Sequence, residues 1–325
     1  MTKPIRFGVV ASEIEVHNLI ATAQMAECIG FSSIQLNDHF SSTVAPMVGL
    51  QAIAAATSQI KIATSVLNQD LRHPAVLAKE AATLDLLSGG RLELGLGAGW
   101  VRADYDQSGI AFDTAATRID RLDEYIAIVR GLCGPDPLTF RGDHYTVTDL
   151  EGIPQPAQPG GPPIMVGGGG RRLLTMAAEK ADIVQVLGAT LARGAVVDAS
   201  SFRRESFEER LDWIRSAAGA RFDALELSLM LVLVAVTDDV ESFTKGFLEM
   251  LSGNDLVERY GGEVNHRDVN LQTLLDSPVV AVGTLEEVCE KLTRVRNTLG
   301  FNYFVTPFAG GMEALAPIVT RLTGT

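Results

Sequence analysis

The chain has little cysteine for its 325 residues. Its three cysteines, Cys28, Cys133 and Cys289, lie far apart, and no C-x-x-C spacing occurs. This excludes a disulfide framework and a dithiol redox motif, and it favours reduced thiols in a cytoplasmic protein. The histidines and cysteines also lack the spacing of metal ligands, so no metal site is predicted.

Positive charge is scarce as well. The chain carries 27 Lys and Arg residues against 40 Asp and Glu residues, a net charge of -13. No basic face is therefore expected that could bind nucleic acid or an anionic membrane surface. No apolar run approaches the roughly 20 residues of a membrane span, and residues 5–10 have the pattern of a strand rather than of a signal peptide. Hydrophobic residues, in contrast, make up 46% of the chain, which predicts a large core.

Apolar segments of strand length alternate with segments of helical spacing along the chain. The predicted strands cover residues 5–10, 31–36, 60–66, 91–100, 163–166, 183–187, 225–236 and 301–306. Eight strands, each followed by a helix, predict an α/β fold, a (β/α)8 TIM barrel with insertions that forms one domain over residues 1–325. A doubly wound sheet with a second domain is the alternative. It is disfavoured because no change in composition marks a domain boundary.

Some helix starts carry a capping signal, a short polar residue followed three residues later by glutamate. These pairs are Ser12 with Glu15, Asp238 with Glu241, and Thr284 with Glu287. Residues 253–278, in contrast, have no clear period and no predicted structure.

The stretch from Arg91 to Trp100 combines a strand pattern with glycines at alternate positions, Gly95, Gly97 and Gly99. A G-x-G-x-x-G dinucleotide turn would need glycine at position 100, where Trp100 stands instead. We therefore interpret the stretch as the fourth barrel strand, whose glycines let another group approach the backbone closely. Trp100 is either a core tryptophan or a ring that stacks on a flat ligand.

Asp38 and His39 form an ionisable pair at the end of the second predicted strand. In a TIM barrel the active site lies at the carboxyl ends of the strands. The residues alone support two interpretations equally: a general base or charge stabiliser, or a capping aspartate beside a structural histidine. His73 is a second candidate base, but it precedes Pro74, which favours a role at a loop-to-helix junction.

Four consecutive glycines, Gly167, Gly168, Gly169 and Gly170, follow the fifth predicted strand, and Arg171 and Arg172 follow them. Glycines free backbone amides to point at a ligand, and the next helix adds its positive amino end. A tight turn with surface arginines is the alternative. It needs one glycine or two rather than four, so we favour a phosphate-binding turn.

Short motifs occur in one order along nearly the whole chain. They are Asn37-Asp38-His39-Phe40, Ala63-Thr64-Ser65-Val66-Leu67, Arg72-His73-Pro74-Ala75, Ser88-Gly89-Gly90-Arg91, Gly95-Leu96-Gly97-Ala98-Gly99-Trp100, Val166 to Arg171, and Gly283-Thr284-Leu285-Glu286-Glu287. With these motifs the chain resembles the bacterial-luciferase-like flavin and deazaflavin oxidoreductases, in particular their coenzyme F420-dependent branch. Together the motifs are specific for the family but not for a substrate.

The resemblance implies a cofactor that lies across the carboxyl-end mouth of the barrel. Asp38 and His39 match positions that contact the cofactor ring, and His39 is the implied catalytic residue. The family often has a non-proline cis peptide where Ser65 and Val66 stand, which presses a backbone bulge against the ring. Further cofactor contacts are implied for Thr64, Gly97 and Ala98, and phosphate contacts for Gly167, Gly168, Gly169, Gly170 and Arg171.

One departure from the family pattern bears on the substrate. In the sugar-phosphate-oxidising members, the positions of Ala98 and Trp100 hold a threonine and an acidic glutamate. Neither residue is polar here, so a sugar phosphate is not expected. His39 becomes the main candidate for proton handling, and Trp100 is expected to wall an apolar substrate pocket.

Three functions follow from these observations. The first is a coenzyme F420-dependent oxidoreductase that moves hydride between the deazaflavin and a small organic substrate. The second is an FMN-dependent monooxygenase, since the phosphate turn serves either cofactor; the Asp38-His39-Phe40 and Thr64 to Leu67 matches favour the deazaflavin. The third is a non-catalytic cofactor-binding protein on the same barrel. The family is usually dimeric, so the resemblance also implies a homodimer.

Overall fold

The computed structural model of the protein describes residues 3–11, 14–188, 202–252, 271–307 and 311–325. The strands are β1 (Arg6–Val10), β2 (Ser33–Leu36), β3 (Lys61–Thr64), β4 (Leu67–Asn68), β5 (Leu92–Gly97), β6 (Leu138–Arg141), β7 (Thr146–Leu150), β8 (Ile164–Gly168), β9 (Ile183–Val186), β10 (Glu226–Met230), β11 (Leu233–Val236), β12 (Val280–Gly283) and β13 (Tyr303–Pro307). The helices are α1 (Leu19–Ile29), α2 (Pro46–Ala56), α3 (Pro74–Leu87), α4 (Arg102–Ser108), α5 (Ala115–Leu132), α6 (Arg171–Lys180), α7 (Arg204–Ala218), α8 (Val240–Ser252), α9 (Leu271–Asp276), α10 (Leu285–Leu299) and α11 (Ala316–Leu322).

A closed parallel sheet forms the centre of the molecule. Its strands follow the order β3-β2-β1-β13-β10-β9-β8-β5, and β3 pairs with β5 to close the ring. The first and last strands of the chain are neighbours, with Phe7 opposite Phe304, and Ile62 lies opposite Leu92 where the ring closes. Helices flank the ring. The predicted (β/α)8 TIM barrel is therefore confirmed.

The barrel strands are buried on both faces. Every residue of β2, β5 and β9 is buried, because the outer face packs against helices while the inner face fills the barrel. Helices α2 and α3 show the outer contact, since Leu50, Ile53 and Leu77 are fully buried against the sheet. This two-sided burial explains why the strands read as continuous apolar runs.

A partly buried ionic cluster lies at the amino-terminal end of the barrel interior. Arg6 of β1 donates to Glu93 of β5 at 2.7 Å and to Glu226 of β10 at 2.8 Å. Its guanidinium lies over the ring of Tyr303 on β13, 3.5 Å from the centroid. The Tyr303 hydroxyl is hydrogen-bonded to Ser33 of β2. One arginine thus connects strands from different sides of the ring.

The predicted strand over residues 225–236 is two strands in the structure. β10 belongs to the barrel, whereas β11 leaves it and pairs in parallel with β12, which was not predicted. The chain turns outward at Leu231 and Val232, whose amides donate to Val305 of the barrel and to Val279. An apolar run in the sequence does not show whether it forms one buried strand or two, when both strands are covered by other parts of the protein.

The helix starts in the structure agree only in part with the predicted capping signals. Thr284 and Glu287 form the predicted capping box at the start of α10. The prediction for Asp238 is wrong by one residue, because the side chain that accepts the amide of Ser242 in α8 belongs to Asp239. Ser12 lies outside the described residues. Helix α4 was not predicted; its seven residues are too few for a helical period to show.

Within the described part of the chain, no helix is both long and apolar enough to cross a membrane.

Candidate active site

A cavity of about 420 Å³ opens at the carboxyl ends of the barrel strands. Nearly all residues predicted to bind cofactor or substrate line it: Asp38, His39, Ser65, Val66, Gly97, Ala98, Trp100, Gly167, Gly168, Gly169, Gly170 and Arg171. The strand ends bring these residues together from four separate segments of the chain, because parallel strands deliver their carboxyl ends to one edge of the barrel.

Thr64 does not line this cavity. Its side chain is fully buried, and its hydroxyl donates to the carbonyl of Gly95 and accepts from the amide of Gly95, both at 2.8 Å. A side chain at Gly95 would collide with the Thr64 carbonyl. Thr64 therefore joins β3 to β5 below the cavity floor.

The segment after β3 forms one wall of the cavity. The peptide bond between Ser65 and Val66 is cis, as the resemblance implies. A Cβ atom at Gly97 would lie 2.5 Å from Cγ2 of Val66, so this position must be glycine for Val66 to occupy the wall. The Ser65 hydroxyl is buried and has no hydrogen-bond partner among the described residues. It is available to a polar atom of a ligand.

Asp38 is bound to protein groups through both carboxylate oxygens. Arg72 donates to them in a two-pronged contact at 2.6 and 3.1 Å, and the amide of Asn68 donates to Oδ2 at 3.0 Å. Although burial lowers the pKa of Arg72, its hydrogen bond to Asp38 and the Asp38 charge raise it overall. The carboxylate is thus compensated by a permanent cation, which makes it a fixed anchor rather than a free base.

His39 faces the cavity and is held from two sides. Its Nδ1 lies 2.7 Å from Oδ2 of Asp104 on α4, and its ring meets Trp100 edge to face with centroids 5.6 Å apart. The side chain of His39 is 18% exposed and that of Asp104 is 8% exposed. Nε2 has no protein partner among the described residues. One imidazole nitrogen is therefore fixed while the other is free.

The four-glycine turn leads from the end of β8 into α6 and lines the cavity. Gly170 is the N-cap of α6 without a side-chain cap, and a Cβ atom there would meet nothing within 4 Å. The amides of the first turn of α6 are thus open to an anion. Arg171 is exposed and has no charged partner in the described part of the chain. Arg172 is paired with Asp120 at 2.5 Å, and buried Arg210 donates to the carbonyl of Gly169 at 3.1 Å.

Apolar side chains also line the cavity. They are Ala98, Trp100, Ile119, Leu187 and Met230. Arg118 also borders the cavity, but it is largely buried and donates to the carbonyls of Ala98 and Gly99 at 3.1 and 3.3 Å. It therefore holds the end of β5 in place rather than offering its charge to a ligand.

Three charged residues around the site were not among the site residues predicted from the sequence: Arg72, Asp104 and Arg118. Arg72 adjoins His73, whose Nδ1 accepts the Ala75 amide at the start of α3, as the junction interpretation expected. Asp104 and Arg118 reach the site from α4 and α5, away from the strand ends that guided the search. The one signal for Asp104 was its place just after the glycine stretch. Within the described residues, no group of His, Cys, Asp or Glu side chains could hold a metal ion.

The fold and the cavity define a (β/α)8 barrel with a glycine-rich turn at its carboxyl-end cavity. Residues 3–302 match the family model described as luciferase-like monooxygenase. The chain belongs to this family, as the sequence motifs indicated.

Similar proteins of known activity fall into two groups by cofactor. The chain is 34% identical over 168 residues to an F420-dependent glucose-6-phosphate dehydrogenase of Amycolatopsis mediterranei, covering 49% of this chain and 50% of the relative. It is 39% identical over 124 residues to the pyrimidine monooxygenase RutA of Klebsiella pneumoniae, covering 38% of this chain and 33% of the relative. The matches thus span half or less of these relatives. One relative is a dehydrogenase and the other a monooxygenase, which supports the conclusion that this chain is an enzyme.

Solved structures reproduce the fold over nearly the full length. An F420-dependent secondary alcohol dehydrogenase in complex with an F420-acetone adduct has a TM-score of 0.74 at 20% identity and 98% coverage of each chain. The coenzyme F420-dependent tetrahydromethanopterin reductase of Methanopyrus kandleri has a TM-score of 0.77 at 19% identity, with 99% of this chain and 98% of that chain covered. At these identities the likeness concerns the fold.

Proposed function

We propose that the protein is a coenzyme F420-dependent oxidoreductase that transfers hydride between the deazaflavin and a small organic substrate. The observation that carries the proposal is the His39 imidazole, which borders the cavity with Nδ1 fixed by Asp104 and with no partner for Nε2 among the described residues. Hydride transfer to or from a carbon–oxygen group needs a proton acceptor or donor at the oxygen, and a histidine suits both directions near neutral pH.

The cavity fits a flat cofactor with a phosphate-bearing tail. The cis peptide of Ser65 and Val66 and the side-chain-free Gly97 would support the ring, and the buried Ser65 hydroxyl would meet one of its polar atoms. The Gly167 to Gly170 turn and Arg171 would hold the phosphate. When bound, the cofactor would supply the hydride chemistry, while the protein supplies orientation and charge.

The proposed substrate is small, organic and without a phosphate group. The cavity offers apolar side chains, Trp100, Ile119 and Met230 among them, that would pack against a hydrocarbon body, and the Trp100 ring contacts that of His39. The cations of the cavity serve other contacts: Arg118 binds backbone carbonyls, and Arg171 belongs to the cofactor phosphate turn. A sugar phosphate would therefore place its charge against an apolar wall, in contrast to the substrate named for the Amycolatopsis mediterranei relative.

An FMN-dependent monooxygenase is the second candidate. A specific observation favours it: an FMNH(2)-dependent dimethylsulfone monooxygenase of Pseudomonas fluorescens is 28% identical over 235 residues, 70% of this chain and 60% of the relative. The phosphate turn would serve FMN as well as F420. What favours F420 is the His39 and Asp104 pair, since a proton-handling group is required by an alcohol–carbonyl interconversion.

Separate titrations of the purified protein with F420 and with FMN test the proposal by fluorescence quenching. We expect tight binding of F420 and weaker binding of FMN. Binding of FMN with none of the deazaflavin would overturn the proposal in favour of the monooxygenase. F420 binding without turnover of any alcohol or carbonyl substrate would instead support a non-catalytic cofactor-binding protein.

Two arginine variants test the location of the cofactor phosphate. Arg171→Ala should weaken cofactor binding about tenfold or more, because it removes a charge-assisted contact to the phosphate. Arg172→Ala is the matched control at the next position and should have a smaller effect, since Asp120 already occupies this guanidinium. Equal effects of the two variants would count against a specific role for Arg171.

The proposal includes a cytoplasmic homodimer, as the family resemblance implies. Large apolar side chains are exposed on α2 and α3, among them Val48, Val76 and Leu87. Contiguous exposed apolar surface is typical of a protein interface. Sedimentation analysis of the purified protein, which should give twice the mass of one chain, tests this part.

A further inference from the structure

We propose that Asp104 is a positioning residue that holds His39 in a single tautomer, with the proton on Nδ1 and the lone pair of Nε2 turned to the cavity. No sequence motif drew attention to Asp104. The consequence for turnover rests on the proposed function, whereas the tautomer itself is a property of the protein alone.

The Asp104 carboxylate has both oxygens engaged by the same short segment. Oδ2 lies 2.7 Å from Nδ1 of His39, and Oδ1 accepts the backbone amide of Phe40 at 3.2 Å. A carboxylate can only accept hydrogen bonds, so Nδ1 must carry the proton. Because the two contacts come from neighbouring residues, they fix the carboxylate in position and the imidazole in orientation.

Helix α4 is anchored so that Asp104 cannot easily move away. Tyr105, which follows Asp104 in α4, is fully buried, and its hydroxyl donates to Asp70 at 2.8 Å. The Tyr105 hydroxyl fills the space beside Gly99, where any side chain would collide with it. The Asp104 amide donates to the carbonyl of Val101 at 3.1 Å. A short helix thus gains rigid contacts on the side that faces the barrel.

Other charged groups near His39 are already compensated. Asp38, its neighbour along the chain, is bound in two-pronged fashion by Arg72. Arg118 faces the same cavity from α5, but it donates to backbone carbonyls of Ala98, Gly99 and Asp113. Among the described residues, Asp104 is the acidic group in direct contact with the His39 ring, and the Trp100 ring bounds it on another side.

This tautomer suits proton transfer at the substrate oxygen. In the oxidation of an alcohol, the Nε2 lone pair of His39 would accept the hydroxyl proton, and the bound cofactor would supply the hydride acceptor. The imidazolium that forms donates from Nδ1 to Asp104, which stabilises its charge. In the reverse direction the imidazolium returns the Nε2 proton to the carbonyl oxygen. The opposite tautomer would present an N–H group to the hydroxyl and could not accept its proton.

Asp104→Asn is a nearly isosteric variant with a defined effect on the tautomer. The asparagine has one acceptor oxygen and one donor group in place of two oxygens. The Phe40 amide can only donate, so the side-chain oxygen must face it, and the NH₂ group then faces Nδ1 of His39. Nδ1 becomes an acceptor and the proton moves to Nε2. The variant therefore inverts the tautomer while it keeps the shape of the site.

The first measurement is the nitrogen spectrum of the histidines in protein labelled with ¹⁵N-histidine, in which a His39→Ala variant identifies the signal among the five histidines. We expect protonated Nδ1 and unprotonated Nε2 for His39 in the native protein, and the reverse in Asp104→Asn. Asp106→Asn is the matched control, because Asp106 lies on the same helix but is exposed and paired with Arg102. It should leave the native pattern. A native His39 protonated on Nε2 would overturn the inference, whatever the cofactor proves to be.

The second measurement is steady-state turnover with bound F420. Asp104→Asn should lower kcat about 100-fold or more, as expected for a base in the wrong tautomer. The KM of the substrate and the affinity for F420 should change less than about threefold, and Asp106→Asn should behave like the native enzyme. Equal losses in kcat and cofactor affinity would reveal a structural role for Asp104 and contradict the inference. Absence of F420 binding by the native protein would refute the proposed function and leave the spectroscopic test intact.

Discussion

Asp38 and His39 are adjacent along the chain, yet their side chains are held by different elements. Arg72, just before α3, takes both oxygens of Asp38. Asp104, on α4, takes one nitrogen of His39. The carboxylate is therefore saturated with hydrogen bonds, whereas the imidazole keeps a free nitrogen at the cavity. This difference in partners, rather than residue type, assigns the anchoring role to Asp38 and the proton-handling role to His39.

Replacement of His39 is the direct test of that division. His39→Ala should lower kcat by about 100-fold, the usual contribution of a general acid or base. F420 affinity should stay within about threefold of the native value, because the phosphate turn and the wall at Val66 are untouched. Steady-state kinetics and fluorescence titration separate the two quantities. Unchanged turnover would remove His39 from the mechanism.

The sequence predicts those parts of the site that lie at the ends of strands or in glycine-rich segments. His39, Trp100 and the Gly167 to Gly170 turn were identified in that way and do border the cavity. Thr64 was included as a neighbour of Ser65 in a motif, but alternation along a strand turns successive side chains to opposite faces, and Thr64 points into the barrel wall. Asp104 carries no signal beyond its place just after the glycine stretch, since its partner is 65 residues away.

At the scale of elements, the contact between α9 and α10 places a cation in an unfavourable position. Lys291 on α10 donates to the carbonyl of Leu275 at the end of α9. Burial lowers the pKa of Lys291 to about 8, against the attraction of nearby Asp276. The unfolded chain binds the proton more tightly than the folded one, so the charged form costs stability below pH 8. That cost disappears as the pH rises towards the ordinary lysine pKa of 10.5.

Lys291→Met should therefore stabilise the protein near neutral pH by up to about 3 kcal/mol. The gain should shrink between pH 8 and pH 10.5, because deprotonating the lysine on folding costs less as the pH approaches its ordinary pKa of 10.5, and the lost hydrogen bond to Leu275 should then dominate. Urea unfolding at pH 7, 8.5 and 10 measures the trend. Lys245→Met is the control, because Lys245 is exposed and paired with Glu241. A gain independent of pH would show that the Lys291 charge is not its cause.

Elements with a clear period were predicted, and those whose structure depends on tertiary contacts were not. The apolar residues of helix α5 recur at helical spacing in the sequence, and Thr114 caps the helix. β11 and β12, in contrast, exist because they pair with each other beside the barrel. The segment 279–283 is too short and too apolar for the sequence to reveal that it pairs with β11. The split of the 225–236 run is therefore a property of the assembled fold rather than of the segment.

The whole barrel could be predicted because its rule is simple: eight buried strands and alternating helices leave few other topologies. The assignment of residues 1–325 to one domain stays a prediction. The polar interior at the amino-terminal end could not be anticipated, since Arg6, Glu93 and Glu226 lie on strands far apart in sequence. Their meeting depends on ring closure, which brings β1, β5 and β10 to one layer of side chains inside the barrel.

This layer supplies a test of the molecule as a whole. Arg6→Met leaves Glu93 and Glu226 facing each other inside the barrel without a cation, and breaking a buried ion pair on one side costs about 3 kcal/mol or more. The triple variant Arg6→Met, Glu93→Gln, Glu226→Gln removes the uncompensated charges and should be more stable than Arg6→Met alone. Urea unfolding midpoints at neutral pH compare the variants.

Arg204→Met provides the matched control for this experiment. It breaks the exposed pair with Glu208 on α7 and should cost less than about 1 kcal/mol. If Arg6→Met cost no more stability than this control, the ion pairs of Arg6 would contribute no more than a surface pair does. Packing alone would then stabilise the barrel interior. If the triple variant were the least stable, the ion pairs themselves would be net favourable, because Arg6 and Glu226, whose side chains are 19% and 21% exposed, keep part of their hydration while they are paired.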